Sequence, residues 1–137
     1  MVEFEGTYLH EHSENLDEYF KALGVPYIPR KIICATNPTI EISKISDNKW
    51  SITSKTMIKT SVSTFALGEE YEEHMQGGAL KCVTTMENND LVSQCIGPGN
   101  TEMTRIYSFT DDGLIITYIL KEAEIKAKRH FKRQQIA

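Results

Sequence analysis

From residue 39 onward the chain is a succession of short β-prone runs: "TIEISKI", "WSITSKT", "KTSVSTFAL", "EYEEH", "LKCVTTME", "LVSQCI", "EMTRIYSF", "LIITYIL" and "EIKAKRHFK". An earlier run, "GTYLHEH", opens the series. The breaks "SDNK", "GEE", "QGG", "NND", "GPGN", "TDDG" and "KEA" are mostly tight-turn compositions, which join neighbouring strands in up-and-down order. Ten short antiparallel strands leave two exposed edges unless the sheet closes on itself, so the pattern predicts an all-β, ten-stranded up-and-down antiparallel β-barrel. A two-sheet sandwich with a polar outer surface is the alternative that composition leaves open.

Between the first two strands the period changes. In "NLDEYFKALG", Leu16, Tyr19, Phe20 and Leu23 recur at helical spacing. Asn15 is the expected N-cap, Asp17 and Glu18 suit the first turn, and Gly24 is a stop. After "VPYIP", the segment "RKIICAT" predicts a second short helix that ends before Asn37 and Pro38. The pair forms a helix-turn-helix without a basic recognition surface.

The 137 residues, 40% hydrophobic and 25% charged, suit one globular domain over 1–137. A formal charge of −4 gives no global reason to expect nucleic acid as a partner. Lys21, Arg30, Lys31 and the C-terminal run are local basic clusters, read first as solvated surface. "MVEFEGTYLHEH" lacks the basic start and apolar run of a secretory signal, and no stretch reaches the length of a membrane span. A soluble protein of the cytoplasm is therefore expected. Cys34, Cys82 and Cys95, without C-x-x-C spacing, suit free thiols in a reducing compartment better than a disulfide framework or a zinc site.

The functional clue lies in strand faces. In "AKRHFKR", residues 127–133, strand alternation puts Ile125, Ala127, Arg129 and Phe131 on one face and Lys126, Lys128, His130 and Lys132 on the other. The second face is solvent, so Arg129 is carried inward, where a cation needs an anion from the protein or from a ligand. "EMTRIYSF" repeats the arrangement, with Met103, Arg105, Tyr107 and Phe109 on one face. "KTSVSTFAL" has no uniformly apolar face, which suits an interior that is not a dry, packed core. A barrel of more than about eight strands has room for a ligand cavity. A guanidinium matches a carboxylate bidentately, so an apolar carboxylate would satisfy both cation and cavity. Internal pairing with a glutamate such as Glu41 is the competing reading.

With these residues in view, the sequence resembles the intracellular lipid-binding protein family, the cytosolic fatty-acid-binding proteins and their retinoid-binding relatives. "GTYLHEHSENLDEYFKALGV" is similar to the family signature at Gly6, Tyr8, Asn15, Leu16, Asp17, Tyr19, Leu23 and Gly24. "RKIICATNPT" and "TFALGEEYEE" resemble the family's segments after the first helix and in mid-chain. The resemblance spans essentially the whole chain and implies a calycin-like barrel with a two-helix lid between the first two strands. It also implies a long-chain fatty acid inside, its carboxylate held by Arg105 and Arg129. Phe131 stands where the family has a tyrosine, so one hydroxyl is missing from the head-group site.

The resemblance further implies a portal with Ile58 as its apolar gate and Val25, Ile32 and Ile33 lining the helical lid, for which plain packing is an equal reading; Leu23, Met57 and Tyr107 complete the expected cavity and portal. Tail selection would depend on the cavity shape set by Tyr8, Met57, Phe65, Met86, Tyr107 and Tyr118, not all of which need face inward. Lys21, Arg30 and Lys31 match positions used by some members for nuclear import or for transient contact with anionic membranes. A monomeric carrier that is no enzyme and needs no cofactor or metal is the expectation. His10, His12, His74 and His130 are dispersed, apart from the i, i+2 pair His10 and His12, and no glycine-rich phosphate loop occurs. A retinoid, a bile acid or another amphipathic anion is the alternative ligand, and a partner-docking module with a vestigial cavity is the alternative role.

Overall fold

The computed structural model describes residues 4–75 and 78–134. The strands are β1 (Gly6–Glu14), β2 (Thr39–Ser46), β3 (Lys49–Lys55), β4 (Thr60–Ala66), β5 (Glu70–Met75), β6 (Gly78–Glu87), β7 (Asp90–Ile96), β8 (Glu102–Phe109), β9 (Gly113–Leu120) and β10 (Ile125–Arg133). Two helices, α1 (Leu16–Ala22) and α2 (Tyr27–Ala35), lie between β1 and β2. Each strand runs within two residues of its predicted run; the turn expected at "QGG" falls partly outside the described residues.

All ten strands form one antiparallel sheet in the order β4-β3-β2-β1-β10-β9-β8-β7-β6-β5. Its turns carry the backbone that the sequence suggested: Asn88 and Asn89, with φ of 50° and 71°, make the two-residue connection between β6 and β7. The sheet curls into a nearly closed barrel whose two ends, β4 and β5, meet through side chains instead of a backbone ladder. The Phe65 ring stacks on Tyr71 at 5.1 Å, and Ser63 Oγ donates to Glu73 Oε2 at 3.1 Å. The sandwich alternative is thereby set aside.

The interior is divided in two. One apolar cluster gathers Tyr8, Ile42, Trp50, Phe65, Leu91, Phe109 and Leu114 around their neighbours on the inward faces. The other gathers Leu80, Cys82, Cys95, Met103, Leu120 and Ala127 beneath Leu16 and Tyr19 of α1. The helix thus plugs one end of the barrel with the apolar stripe seen in its sequence. Asn15 takes the N-cap position with φ of 58° but makes no side-chain cap; its Nδ2 donates to the Lys126 carbonyl at 2.9 Å, tying the helix start to β10. Asparagine tolerates this left-handed backbone better than most residues. The second helix begins earlier than predicted, at Tyr27, because Pro29 falls in its first turn, where a missing N–H costs no intrahelical bond. Buried residues are absent from this helix, which packs on α1 and leaves Tyr27, Ile28 and Ile32 exposed.

A bulge in β1 between His10 and His12 corrects one expectation from the sequence. The extra residue shifts the pairing, so His10 lies opposite inward Phe131 while His12 lies opposite outward His130. The two histidines do not form a same-face pair. His10 packs edge-on to Phe131 at 5.5 Å, whereas His12 stacks on His130 at 4.2 Å.

The β9–β10 approach has no slack at Gly113, where a β-carbon would sit 2.0 Å from the Phe131 carbonyl oxygen. Gly113→Ala should lower stability by about 1–3 kcal/mol or more, as overpacked sites do. A fall in the urea midpoint at unchanged slope would show it; an unchanged midpoint would mean that this ladder opens easily.

Candidate functional site

Alternation along β8 and β10 brings both arginines inward, but their surroundings differ. Arg129 is buried, at 5% exposure, and its Nη2 donates to the Ile33 carbonyl near the end of α2 at 2.9 Å. The same carbonyl also accepts from the Thr36 N–H at 3.2 Å and the Thr36 hydroxyl at 2.6 Å, so the cation joins an already capped helix end, where the helix dipole favours positive charge. Among the described residues no carboxylate forms an ion pair with Arg129. Burial draws its pKa below the ordinary guanidinium value, with Tyr118 and Cys34 opposing that pull. Phe131 is buried beside it, and both line a cavity of about 560 Å³ together with Phe20, Ile33, Ile40 and Tyr118. That volume is within the range of small-molecule sites, about 300–1,000 Å³.

Arg105 already has its anion. Its Nη2 lies 2.6 Å from Glu73 Oε2, which also accepts from Ser63. Glu41, the partner weighed from the sequence, pairs instead with Lys55 at 3.1 Å on the outside. Burial would lift the Glu73 carboxyl, but Arg105 and the hydroxyls of Ser63 and Tyr71 outweigh it and hold the group below its ordinary pKa. On Arg105 burial works downward and is outweighed in turn by Tyr107 and Glu73, so its pKa rises. The arginine Nε is buried without a hydrogen-bond partner among the described residues. Beside it, Tyr71 and Thr84 are joined at 2.6 Å, and Thr84 and Ser93 at 2.6 Å, as a hydroxyl chain inside the barrel. Burial pushes the Tyr71 hydroxyl up to about 12.

Register sets the spacing of the two cations. Tyr118 on β9 lies opposite Arg105 on β8 and Ala127 on β10, while Arg129 lies opposite Ile116. Tyr118 therefore stands between the arginines. It lines the large cavity and also two smaller lobes, of about 220 Å³ and 190 Å³, that carry Arg105 in their walls.

The expected portal divides. Ile32 and Ile33 from α2 and Ile58 from the β3–β4 turn line the mouth of the large cavity, and Leu23 lines the smallest lobe. Tyr107 is buried in the wall of the middle lobe, and Val25 is buried at 6% exposure. Met57 departs from the expectation: at 105% exposure it projects into solvent at the turn and is not among the walls of these three cavities. Met86, at 42%, also faces outward, whereas Tyr8 and Phe65 face in. The basic lid is partly neutralised, because Asp17 pairs with Arg30 at 2.9 Å and with Lys31 at 3.1 Å.

Glu73 is the site residue that reading the sequence missed, and a signal for it was present. Alternation in "EYEEH" places Tyr71 and Glu73 on one face, so an inward aromatic carries an acid with it.

A nearly closed ten-stranded barrel, plugged by a helix and enclosing a cavity with a buried cation, defines a calycin-like lipid-binding protein. The family model for the lipocalin / cytosolic fatty-acid binding protein family matches residues 5–132, and the chain belongs to that family. It is 37% identical to a muscle fatty acid-binding protein of Schistocerca gregaria, over 96% of this chain and 98% of that one. It is also 37% identical to cellular retinoic acid-binding protein 1 of Takifugu rubripes, over 67% of this chain and 69% of the other. Its structure superposes on the fatty acid-binding protein from the brain of Drosophila melanogaster with a TM-score of 0.84 and 32% identity, covering 95% and 99% of the two chains. No helix among the described residues is long and apolar enough to cross a membrane.

Glu73→Gln would leave Arg105 half-buried without its counter-charge, and stability near pH 7 should fall by about 1–3 kcal/mol. Because the folded Glu73 pKa is depressed, its contribution is present above the ordinary carboxylate range and is lost as pH falls through the folded value. The gap between wild type and variant should therefore close in acid. Chemical denaturation at several pH values checks this; a constant gap would show that the carboxylate charge is not what stabilises the site.

Proposed function

We propose that the chain is a cytosolic carrier that reversibly binds a long-chain fatty acid, with the carboxylate on Arg129 and the tail in the barrel. The observation that carries this reading is Arg129 itself: a buried cation in a cavity wall whose hydrogen-bond partner among the described residues is a helix carbonyl. A ligand carboxylate would supply the missing anion and relieve the burial cost that depresses the arginine pKa. Arg105, with its charge answered by Glu73, makes up the second side of the polar end through its unpaired Nε and the Tyr118 hydroxyl between the two arginines. The two cations hold the head group unequally, with Arg129 making the direct contact.

The tail supplies affinity at about 0.8 kcal/mol per buried methylene, while the arginine fixes orientation. Ile32, Ile33 and Ile58 at the cavity mouth form the entrance under α2. The carrier works as a single-domain monomer, without cofactor, metal or covalent chemistry on its ligand in the binding step. With Asp17 between Arg30 and Lys31, attraction of the lid to an anionic membrane is reduced below the roughly 1 kcal/mol per cation that Lys21, Arg30 and Lys31 would otherwise contribute.

Arg129→Met should weaken binding of oleate by about 10- to 100-fold, the equivalent of one charged hydrogen-bonded contact, with the fold retained by circular dichroism. Unchanged affinity in displacement of a fluorescent fatty acid would remove the central claim. The similarity to a retinoic acid-binding protein favours a retinoid as the second reading, and competition between oleate and retinoic acid decides between them.

Phe131 walls the head-group end without offering a hydrogen bond. Phe131→Tyr should add about 0.5–1.5 kcal/mol, tightening oleate binding several-fold. Isothermal titration of the two proteins measures it; no gain would place the carboxylate beyond reach of position 131.

A further inference from the structure

Two of the three cysteines, read from the sequence as unremarkable free thiols, are directly opposed in the barrel wall. Cys82 on β6 and Cys95 on β7 are register partners, and both side chains point inward. Residues directly opposite in an antiparallel ladder have Cα atoms about 4.5 or 5.5 Å apart, inside the span of roughly 4.4–6.8 Å that a disulfide bridges. The pair therefore lies within disulfide reach.

Their environments are unequal. Cys95 lines the lobe beneath α1 with Phe20, Leu23, Arg105 and Tyr118, and Arg105 Nη2 lies 3.7 Å from its sulfur. Cys82 is fully buried behind it. Contact with the Cys82 thiol, helped by Arg105 and opposed by burial and by Glu73, draws Cys95 below the ordinary thiol range. Cys82 is raised by the same contact and by burial. Buried cysteines in apolar walls are ordinarily inert; a neighbouring cation and a second thiol are what make one reactive. Phe20 and Tyr118 wall both this lobe and the cavity of Arg129, so the lobe that holds Cys95 adjoins the cavity in which a ligand anchored at Arg129 would lie.

We propose that Cys95 and Cys82 form a peroxide-reactive dithiol that reduces a fatty-acid hydroperoxide held in the barrel to the corresponding hydroxy acid. This rests on the carrier reading above. The Cys95 thiolate attacks the terminal oxygen of the hydroperoxide: the S–O bond forms, the O–O bond breaks, and Cys95 becomes a sulfenic acid. The departing alkoxide takes the proton of the Cys82 thiol and leaves as the alcohol. The Cys82 thiolate then attacks the Cys95 sulfur, the S–S bond forms, and hydroxide leaves to combine with the proton that Cys95 lost on ionisation. In sum, two thiols and one hydroperoxide give one disulfide, one hydroxy acid and one water. The thiols are oxidised, the hydroperoxide is reduced, and a small-molecule thiol restores the pair.

The test uses the reduced full chain with linoleic acid hydroperoxide, and with linoleic acid as the unoxidised comparison. Hydroxy acid is quantified by mass spectrometry, disulfides are located by peptide mapping, and binding is followed separately by displacement of a fluorescent fatty acid. One equivalent of hydroxy acid with a Cys82–Cys95 disulfide is expected. Cys95→Ser should lose both, Cys82→Ser should stop at a Cys95 sulfenic acid that dimedone traps, and Cys34→Ser should behave as wild type. Binding of linoleic acid hydroperoxide with Cys82 and Cys95 still reduced and no hydroxy acid formed would overturn the inference and leave the carrier reading intact. Undiminished hydroxy acid from Cys95→Ser, with Met103 oxidised instead, would also overturn it. Failure of linoleic acid to bind would remove the carrier reading and the inference with it.

Discussion

Pairing of the first strand with the last organises this barrel. The β1–β10 ladder joins segments more than a hundred residues apart and turns a sheet of sequential hairpins into a nearly closed wall. The contacts around it are correspondingly dense. Arg133 Nη2 donates to the Tyr8 hydroxyl at 2.8 Å, Tyr8 donates to the Phe4 carbonyl at 2.8 Å, and Asn15 holds the helix start to β10. Only with that ladder formed does the inner face of β10 become the wall of a cavity. Arg129 is then buried instead of facing water.

Closure on the opposite side is of another kind. Between β4 and β5 side chains replace the ladder, and Glu73 is central there because it accepts from Ser63 across the gap and holds Arg105 inside. One carboxylate thereby links the gap to the interior cation. The two arginines, alike in sequence context, consequently differ in chemistry: one completes an internal ion pair, and the other has, among the described residues, a helix carbonyl and no carboxylate as its partner. A desolvated ion pair contributes little net stability, but it fixes where its members sit. The Arg105–Glu73 pair thus fixes a polar floor inside the barrel, while Arg129 keeps no carboxylate partner among the described residues.

Alternation made much of this legible. The inward positions of Arg105, Tyr107, Arg129 and Phe131 follow from a period of two, which local sterics impose on any extended chain. The plug helix was equally readable, since its apolar stripe lies within a single turn-by-turn repeat. What went unread had a common cause. The β1 bulge that separates His10 from His12 inserts one residue, which no local pattern marks, and Met57 sits in a turn where period two no longer holds.

The amino-acid sequence by itself determined the strands, their turns, the helical insertion and which side chains share a face, because each depends on residues within a few positions of one another. Tertiary structure alone decided which of those faces meet. That Glu73 answers Arg105, that Arg129 finds no carboxylate among the described residues, and that Cys82 stands opposite Cys95 beside a guanidinium are results of register and closure. Register and closure arise from long-range packing of the whole sheet. A shift of one residue in any ladder would turn a strand's inner face outward and replace every one of these partners.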